Sequence, residues 1–136
     1  LKVVHNAKNT SSLISSKSIS KDGGICTFRS NVYVSKNATN SKVNVSCDSL
    51  MLDSESRSDT IPTDRIETDD VQFSHEAKIG KISDEAIFYL MSRGISENEA
   101  RAMIVRGFAD PISKALPLEY AVEMNNLINL ELDAKM

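Results

Sequence analysis

Part of this chain repeats itself. Residues 6–19 superpose on residues 37–50 at an offset of 31, with five of the fourteen pairs identical and Thr10/Ser41 and Ile19/Leu50 conservative. In a stretch rich in Ser, Asn, Thr and Val, such a repeat suggests stacked turns, because one turn alone cannot bury its apolar face. Alternation supports this: Val32 and Val34, then Val43, Val45 and Cys47, then Val71, Phe73, His75, Ala77 and Ile79. Period-two runs broken by Ser, Asn, Gly and Asp read as short strands with one buried face. The repeat favours a solenoid, while the strand signals alone fit a β-sandwich as well. A solenoid needs both ends covered. This chain enters the repeat directly at Leu1, so the expectation is a fragment whose earlier rungs lie elsewhere.

The period changes near Gly80-Lys81-Ile82-Ser83, which predicts a solenoid over residues 1–80 and a helical domain of about three helices over residues 81–136. Ser83 is placed to N-cap a helix opening with Asp84 and Glu85, whose charges suit the positive end of its dipole. Ile87, Phe88, Leu90 and Met91 would form its apolar face and Gly94 its stop. Ser96-Glu97-Asn98-Glu99 is a capping box, opening a second helix through Ala100, Met103, Ile104 and Phe108. Asp110-Pro111 is expected to end it. Pro117 suits the start of a third helix, with Leu118, Ala121, Val122, Leu127, Ile128 and Leu132 on one face.

Charge narrows the function. The 16 basic and 19 acidic residues give a net −3, which offers no general attraction to a polyanion and argues against nucleic acid. The surplus lies wholly in residues 81–136. No apolar run approaches the ~20 residues of a spanning helix, so no membrane partner is expected. There is no charged segment followed by an apolar one of the secretory kind. Two cysteines, Cys26 and Cys47, are too few for a disulfide scaffold and match no zinc spacing. A reducing, cytoplasmic setting is the expectation.

Reactive candidates are few. Cys47 shares the parity of Val43 and Val45, which by pattern makes it a buried cysteine behaving as a small hydrophobe. Asp48 beside it gives no reason for a depressed thiol pKa. His75 and Glu76 face opposite sides of an extended chain and cannot form a dyad with one another. By spacing alone His75 is a satisfied core histidine. If the turns stack, however, Cys47 and His75 share an inward parity, and a thiolate beside an imidazole suits iron or zinc. His5 and Cys26 carry no signal, and Asp69-Asp70 reads as a solvated turn. No phosphate-binding glycine loop, HExxH or GxSxG is present, so a stand-alone enzyme has little support.

Several stretches together resemble the C-terminal part of the SufB/SufD family, the scaffold subunits of the SUF iron–sulfur cluster assembly machinery. They are Val34-Ser35-Lys36-Asn37-Ala38, Cys47-Asp48-Ser49-Leu50-Met51-Leu52, Ser58-Asp59-Thr60-Ile61-Pro62 and Ser74-His75-Glu76-Ala77. Phe88-Tyr89-Leu90-Met91-Ser92-Arg93-Gly94-Ile95, Ile104-Val105-Arg106-Gly107-Phe108 and Leu116-Pro117-Leu118-Glu119-Tyr120-Ala121-Val122-Glu123 continue the match over roughly residues 30–132. The resemblance implies a mainly β fold with α: a right-handed parallel β-helix, truncated here, followed by a small C-terminal helical domain. It implies a non-enzymatic scaffold that pairs with SufD or a second SufB through the β-helix. Its helical domain would dock the SufC-type ABC ATPase, with Phe88, Tyr89, Arg93, Arg106 and Phe108 as candidate docking residues. Sulfur would come from a cysteine desulfurase or sulfur carrier. Cys47 matches the cysteine implicated in cluster assembly or sulfur acceptance. His75 and Glu76 match an H-E-A motif of candidate iron ligands or proton handlers, making Cys47, His75 and Glu76 the candidate donors. The transient iron–sulfur cluster is expected to be absent from the isolated chain.

Thiolate, imidazole and a labile carboxylate form a mixed set suited to a site that must release its cluster. Ser74 stands where many SufB chains carry an acidic residue and where SufD-like chains often show Ser, whereas Cys47 favours SufB. A SufD-type, non-ligating partner subunit is therefore the alternative. From a different class, helix, Ser92-Arg93-Gly94-Ile95-Ser96, helix has the proportions of a helix-turn-helix. Arg101 and Arg106 lie on its second helix, against the acidic surplus of residues 81–136.

Overall fold

The computed structural model describes residues 1–133. The chain divides into two compact units, Leu1–Lys81 and Ile82–Met136. The first unit has six strands: β1 (Lys2–His5), β2 (Ser11–Ser20), β3 (Ile25–Val34), β4 (Ser41–Met51), β5 (Arg57–Ile66) and β6 (Val71–Lys81). Odd strands form one sheet in the order β1-β3-β5 and even strands another in the order β2-β4-β6. Every pairing is parallel. The chain thus crosses from one sheet to the other and back with each rung, which is the winding of a parallel β-helix. A sandwich of antiparallel sheets is excluded.

The sequence repeat is the rung itself. In β2 and β4, Ser11 pairs with Lys42 and Ser20 with Met51, a step of 31 residues throughout. Lys2 with Asn31, Ile25 with Arg57 and Ser41 with Val71 keep nearly the same step. Stacked corners hold this register. Asn9 and Asn40 both take left-handed backbone, at φ 61° and 52°, which asparagine tolerates better than most residues. Asn40 Nδ2 donates to Asn9 Oδ1 at 2.7 Å, and the hydroxyls of Thr10 and Ser41 lie 2.9 Å apart. At the opposite corner the Asp53 carboxylate accepts from the backbone N–H groups of Asp22, Glu55 and Ser56.

Alternation defines the interior as the sequence predicts. Ile14, Val32, Val34, Ala38, Val43, Val45 and Cys47 are buried between the sheets, with Val3, Phe28, Val71 and Phe73 packed against them. Burial fades along the last rung, where β5 and β6 each have one neighbour and Ile79 is 47% exposed.

The second unit holds α1 (Asp84–Met91), α2 (Glu97–Ser113) and α3 (Leu118–Asp133). Ser83 accepts from the N–H of Ala86 and Ser96 from that of Glu99, so both caps form as expected. Gly94, at φ 87°, turns the chain after α1. Ile82, Ile87, Ala100, Val105 and Ala109 are buried. Two expectations need correction. Pro111 does not end the second helix, because α2 runs on to Ser113. Proline so near the C-terminus removes a single N–H from the ladder, and the next turn is closed by the Lys114 N–H on the Asp110 carbonyl at 2.9 Å. The expected apolar faces are also only partly covered: Phe88, Met91, Leu118, Val122 and Leu127 are exposed. Three short helices cannot bury that much surface among themselves. Among the described residues no helix is long and apolar enough to cross a membrane.

Candidate functional site

The parallel register of the even sheet places the reactive side chains. On the inner face of β4, Cys47 lies between Ser16 of β2 and Ala77 of β6 and is 2% exposed. His75 of β6 is in register with Val45, one inward position before Cys47. The diagonal brings His75 Nε2 to 3.8 Å from Cys47 Sγ, within the reach of such same-face pairs. The shared inward parity of the two residues is therefore realised as contact.

A third group faces them from the other sheet. Asp64 of β5 puts Oδ2 3.6 Å from His75 Nδ1, with both side chains about one-fifth exposed or less. Thiol, imidazole and carboxylate thus form a line. Nothing in the sequence singled out Asp64. Thr60-Ile61-Pro62-Thr63-Asp64 has no apolar alternation and carries a proline that weakens a strand reading. The rung step was the one usable signal, since it sets Asp64 beside Val32.

The electrostatics of the line are uneven. Burial pushes the Cys47 thiol up from its usual range and the neighbouring Asp48 carboxylate pushes the same way. Asp48 itself is bound to Lys17 at 2.8 Å. The chain by itself therefore favours the thiol over the thiolate. Glu76 does not join the line. It lies on the outer face of β6, exposed, with its carboxylate 3.0 Å from Lys78 Nζ. Among the described residues no group of three or more His, Cys, Asp and Glu side chains could hold a metal ion.

His5 is a satisfied core histidine: 4% exposed, with Nδ1 2.7 Å from Thr10 Oγ1 and Nε2 2.8 Å from Ser12 Oγ. Cys26 is a half-buried free thiol, in register with Ser58. In the helical unit, Phe88 and Tyr89 are 73% and 55% exposed, and the Arg93 guanidinium lies 4.5 Å from the Tyr89 ring centroid. Arg106 donates to Asn129 Oδ1 at 3.3 Å and Phe108 is half-buried. Tyr89 and Arg93 pair on the surface of α1 and its following turn, Phe88 is exposed on α1, and Arg106 and Phe108 belong to α2.

A family model described as SUF system FeS cluster assembly, SufBD core domain, matches residues 1–108. Iron–sulfur cluster assembly SufBD family proteins of Staphylococcus saprophyticus, Staphylococcus haemolyticus and Staphylococcus epidermidis are each 53% identical to this chain over 135 residues. The match covers 99% of the chain and 29% of each relative, so the chain spans under a third of their length. With a β-helix whose last rungs join a thiol to an imidazole, this chain belongs to the SufBD family of iron–sulfur cluster assembly proteins.

Proposed function

We propose that this chain supplies Cys47 and His75 to a transient site where iron and sulfide are assembled into a cluster. The observation that carries this reading is the 3.8 Å approach of Cys47 Sγ to His75 Nε2 on the inner face of the last rungs. A thiolate binds iron, and it also attacks the terminal sulfur of a persulfide. In that step a new S–S bond forms on Cys47, the donor's S–S bond breaks, and the donor leaves as its own thiolate. Imidazole Nε2 is a second, harder donor for iron. Two donors do not close a coordination shell, and a carrier that must hand on its cargo gains from that. Glu76 faces outward, so the remaining donors come from other chains or other parts of the protein.

The partners follow from the same reading. A second SufB, or a SufD, would pair along the last rungs, where β5 and β6 are the end strands of their sheets beside the site. A SufC-type ABC ATPase would dock on the helical unit, with Phe88, Tyr89, Arg93, Arg106 and Phe108 as the contact residues. Sulfur would arrive from a cysteine desulfurase or its carrier. The protein acts as a cytoplasmic scaffold, with nucleotide hydrolysis in the partner.

The test is anaerobic reconstitution of the full-length protein with its partners, comparing wild type with Cys47→Ser. Cluster assembly is expected to be lost while the β-sheet circular dichroism is kept. Full assembly by Cys47→Ser would return Cys47 to the role of a core side chain.

A further inference from the structure

We propose that Asp64 is a positioning residue for His75: its carboxylate holds the ring as the Nδ1–H tautomer, so that the Nε2 lone pair is what meets the Cys47 sulfur. A neutral imidazole carries one N–H and one lone pair, a carboxylate only accepts, and a thiol has a hydrogen to give. Nδ1 faces the carboxylate at 3.6 Å and Nε2 faces the sulfur at 3.8 Å. With the proton on Nδ1, the N–H points at negative charge and the lone pair receives the S–H. With the proton on Nε2, a lone pair faces the carboxylate, while the N–H meets the sulfur, itself a weak acceptor. The first arrangement suits both neighbours and the second only the sulfur.

At 3.6 Å the Asp64–His75 contact is longer than a hydrogen bond, so the preference is electrostatic. Partial burial, with side chains 17% and 21% exposed, keeps it from being screened as a surface pair would be. The neighbouring charges do not undo it. Arg65 is bound to Glu67 at 2.6 Å and lies over the Tyr33 ring, and Lys78 is bound to Glu76 on the outer face of β6. His5 gives the contrast within the same fold. Both its nitrogens meet uncharged hydroxyls, whereas one of those of His75 faces a carboxylate. A carboxylate behind a ligating histidine, fixing its tautomer and ring orientation, is a general device of metal sites. Here it comes from the opposite sheet and is set by the winding of the β-helix.

This inference rests on the proposed role of Cys47 and His75, and its test separates the two. In the full chain labelled with 15N at histidine, long-range proton–nitrogen correlation reads which ring nitrogen carries the proton, and His75→Gln identifies the signal. The wild type is expected to show Nδ1–H and a bare Nε2. Asp64→Ala is expected to lose that preference and Asp64→Glu, which keeps the carboxylate, to retain it. An Nε2–H tautomer in the wild type overturns the proposal without recourse to any variant, and an unchanged tautomer in folded Asp64→Ala does the same. In reconstitution, Asp64→Ala is expected to slow assembly about 10- to 100-fold, with Asp64→Glu recovering most of the rate. If Cys47→Ser abolishes assembly while Asp64→Ala changes neither tautomer nor rate, the positioning role falls and the site stands. If Cys47→Ser assembles normally, the site falls, and the tautomer measurement still decides the role of Asp64.

Discussion

His5 and His75 show how neighbours decide what a side chain can do. Two hydroxyls close the account of His5, whereas a thiol and a carboxylate leave His75 poised between a donor and a charge. Cys47 sits at the other end of that line with its thiol pushed up by burial and then by Asp48. In a Cys26→Ser background, the pH profile of Cys47 alkylation is expected to have its midpoint above the ordinary thiol value of about 8.5; a midpoint at or below that value would contradict the assignment. Stability should follow. Below the ordinary value the thiol is neutral in both states. As pH rises past it the unfolded chain ionises first, so stability falls until the folded thiol ionises too. Cys47→Ala should remove that slope from the urea midpoint. The inward placement of Cys47 and His75 was legible from parity, because alternation reports which side chains point inward, while their candidate role came from the family resemblance. Asp64 was not legible, because Pro62 and the polar run around it erase the alternation that would have marked β5 as a strand.

At the scale of the element, corners and caps carry the register. Asn9 and Asn40 stack in left-handed backbone with a side-chain bond between them, and this pair was already visible as identities in the 31-residue repeat. Asn40→Ala is expected to cost about 1–2 kcal/mol for the left-handed conformation, with the Asn9 bond lost as well. Asn40→Gly should cost less, since glycine adopts that conformation freely. Urea denaturation of the three proteins measures the difference, and equal midpoints for Ala and Gly would show that φ at this corner carries no strain. The helix caps at Ser83 and Ser96 were equally legible, because the capping residue and its partner lie three positions apart. The end of α2 was not. A proline signals an interruption only when enough helix follows it to lose its bonds, and after Pro111 only Ile112 and Ser113 remain.

On the whole molecule, two units divide the work by where they leave surface uncovered. The β-helical unit buries Val32, Val34, Val43 and Val45 and is least buried along its last rung. The helical unit buries Ile82, Ile87, Ala100, Val105 and Ala109 but leaves Phe88 and Tyr89 outside. Sequence periodicity identified these helices and their apolar residues, yet it could not tell which apolar positions three short helices would cover and which would stay exposed. Neighbouring positions on α1 separate the two roles. Ile87, 5% exposed, should unfold the helical unit when changed to Asp, because an unpaired buried charge is costly, and helical circular dichroism would fall. Phe88→Asp, next in sequence but 73% exposed, should leave that signal intact. If Phe88 anchors the SufC-type ATPase, its loss should weaken binding about 30-fold or more, the scale of an interface anchor. Titration of the purified ATPase against the full-length protein reads this directly. Unchanged affinity for Phe88→Asp with intact helicity would move the docking surface away from α1, leaving Arg106 and Phe108 on α2 as the residues to change next.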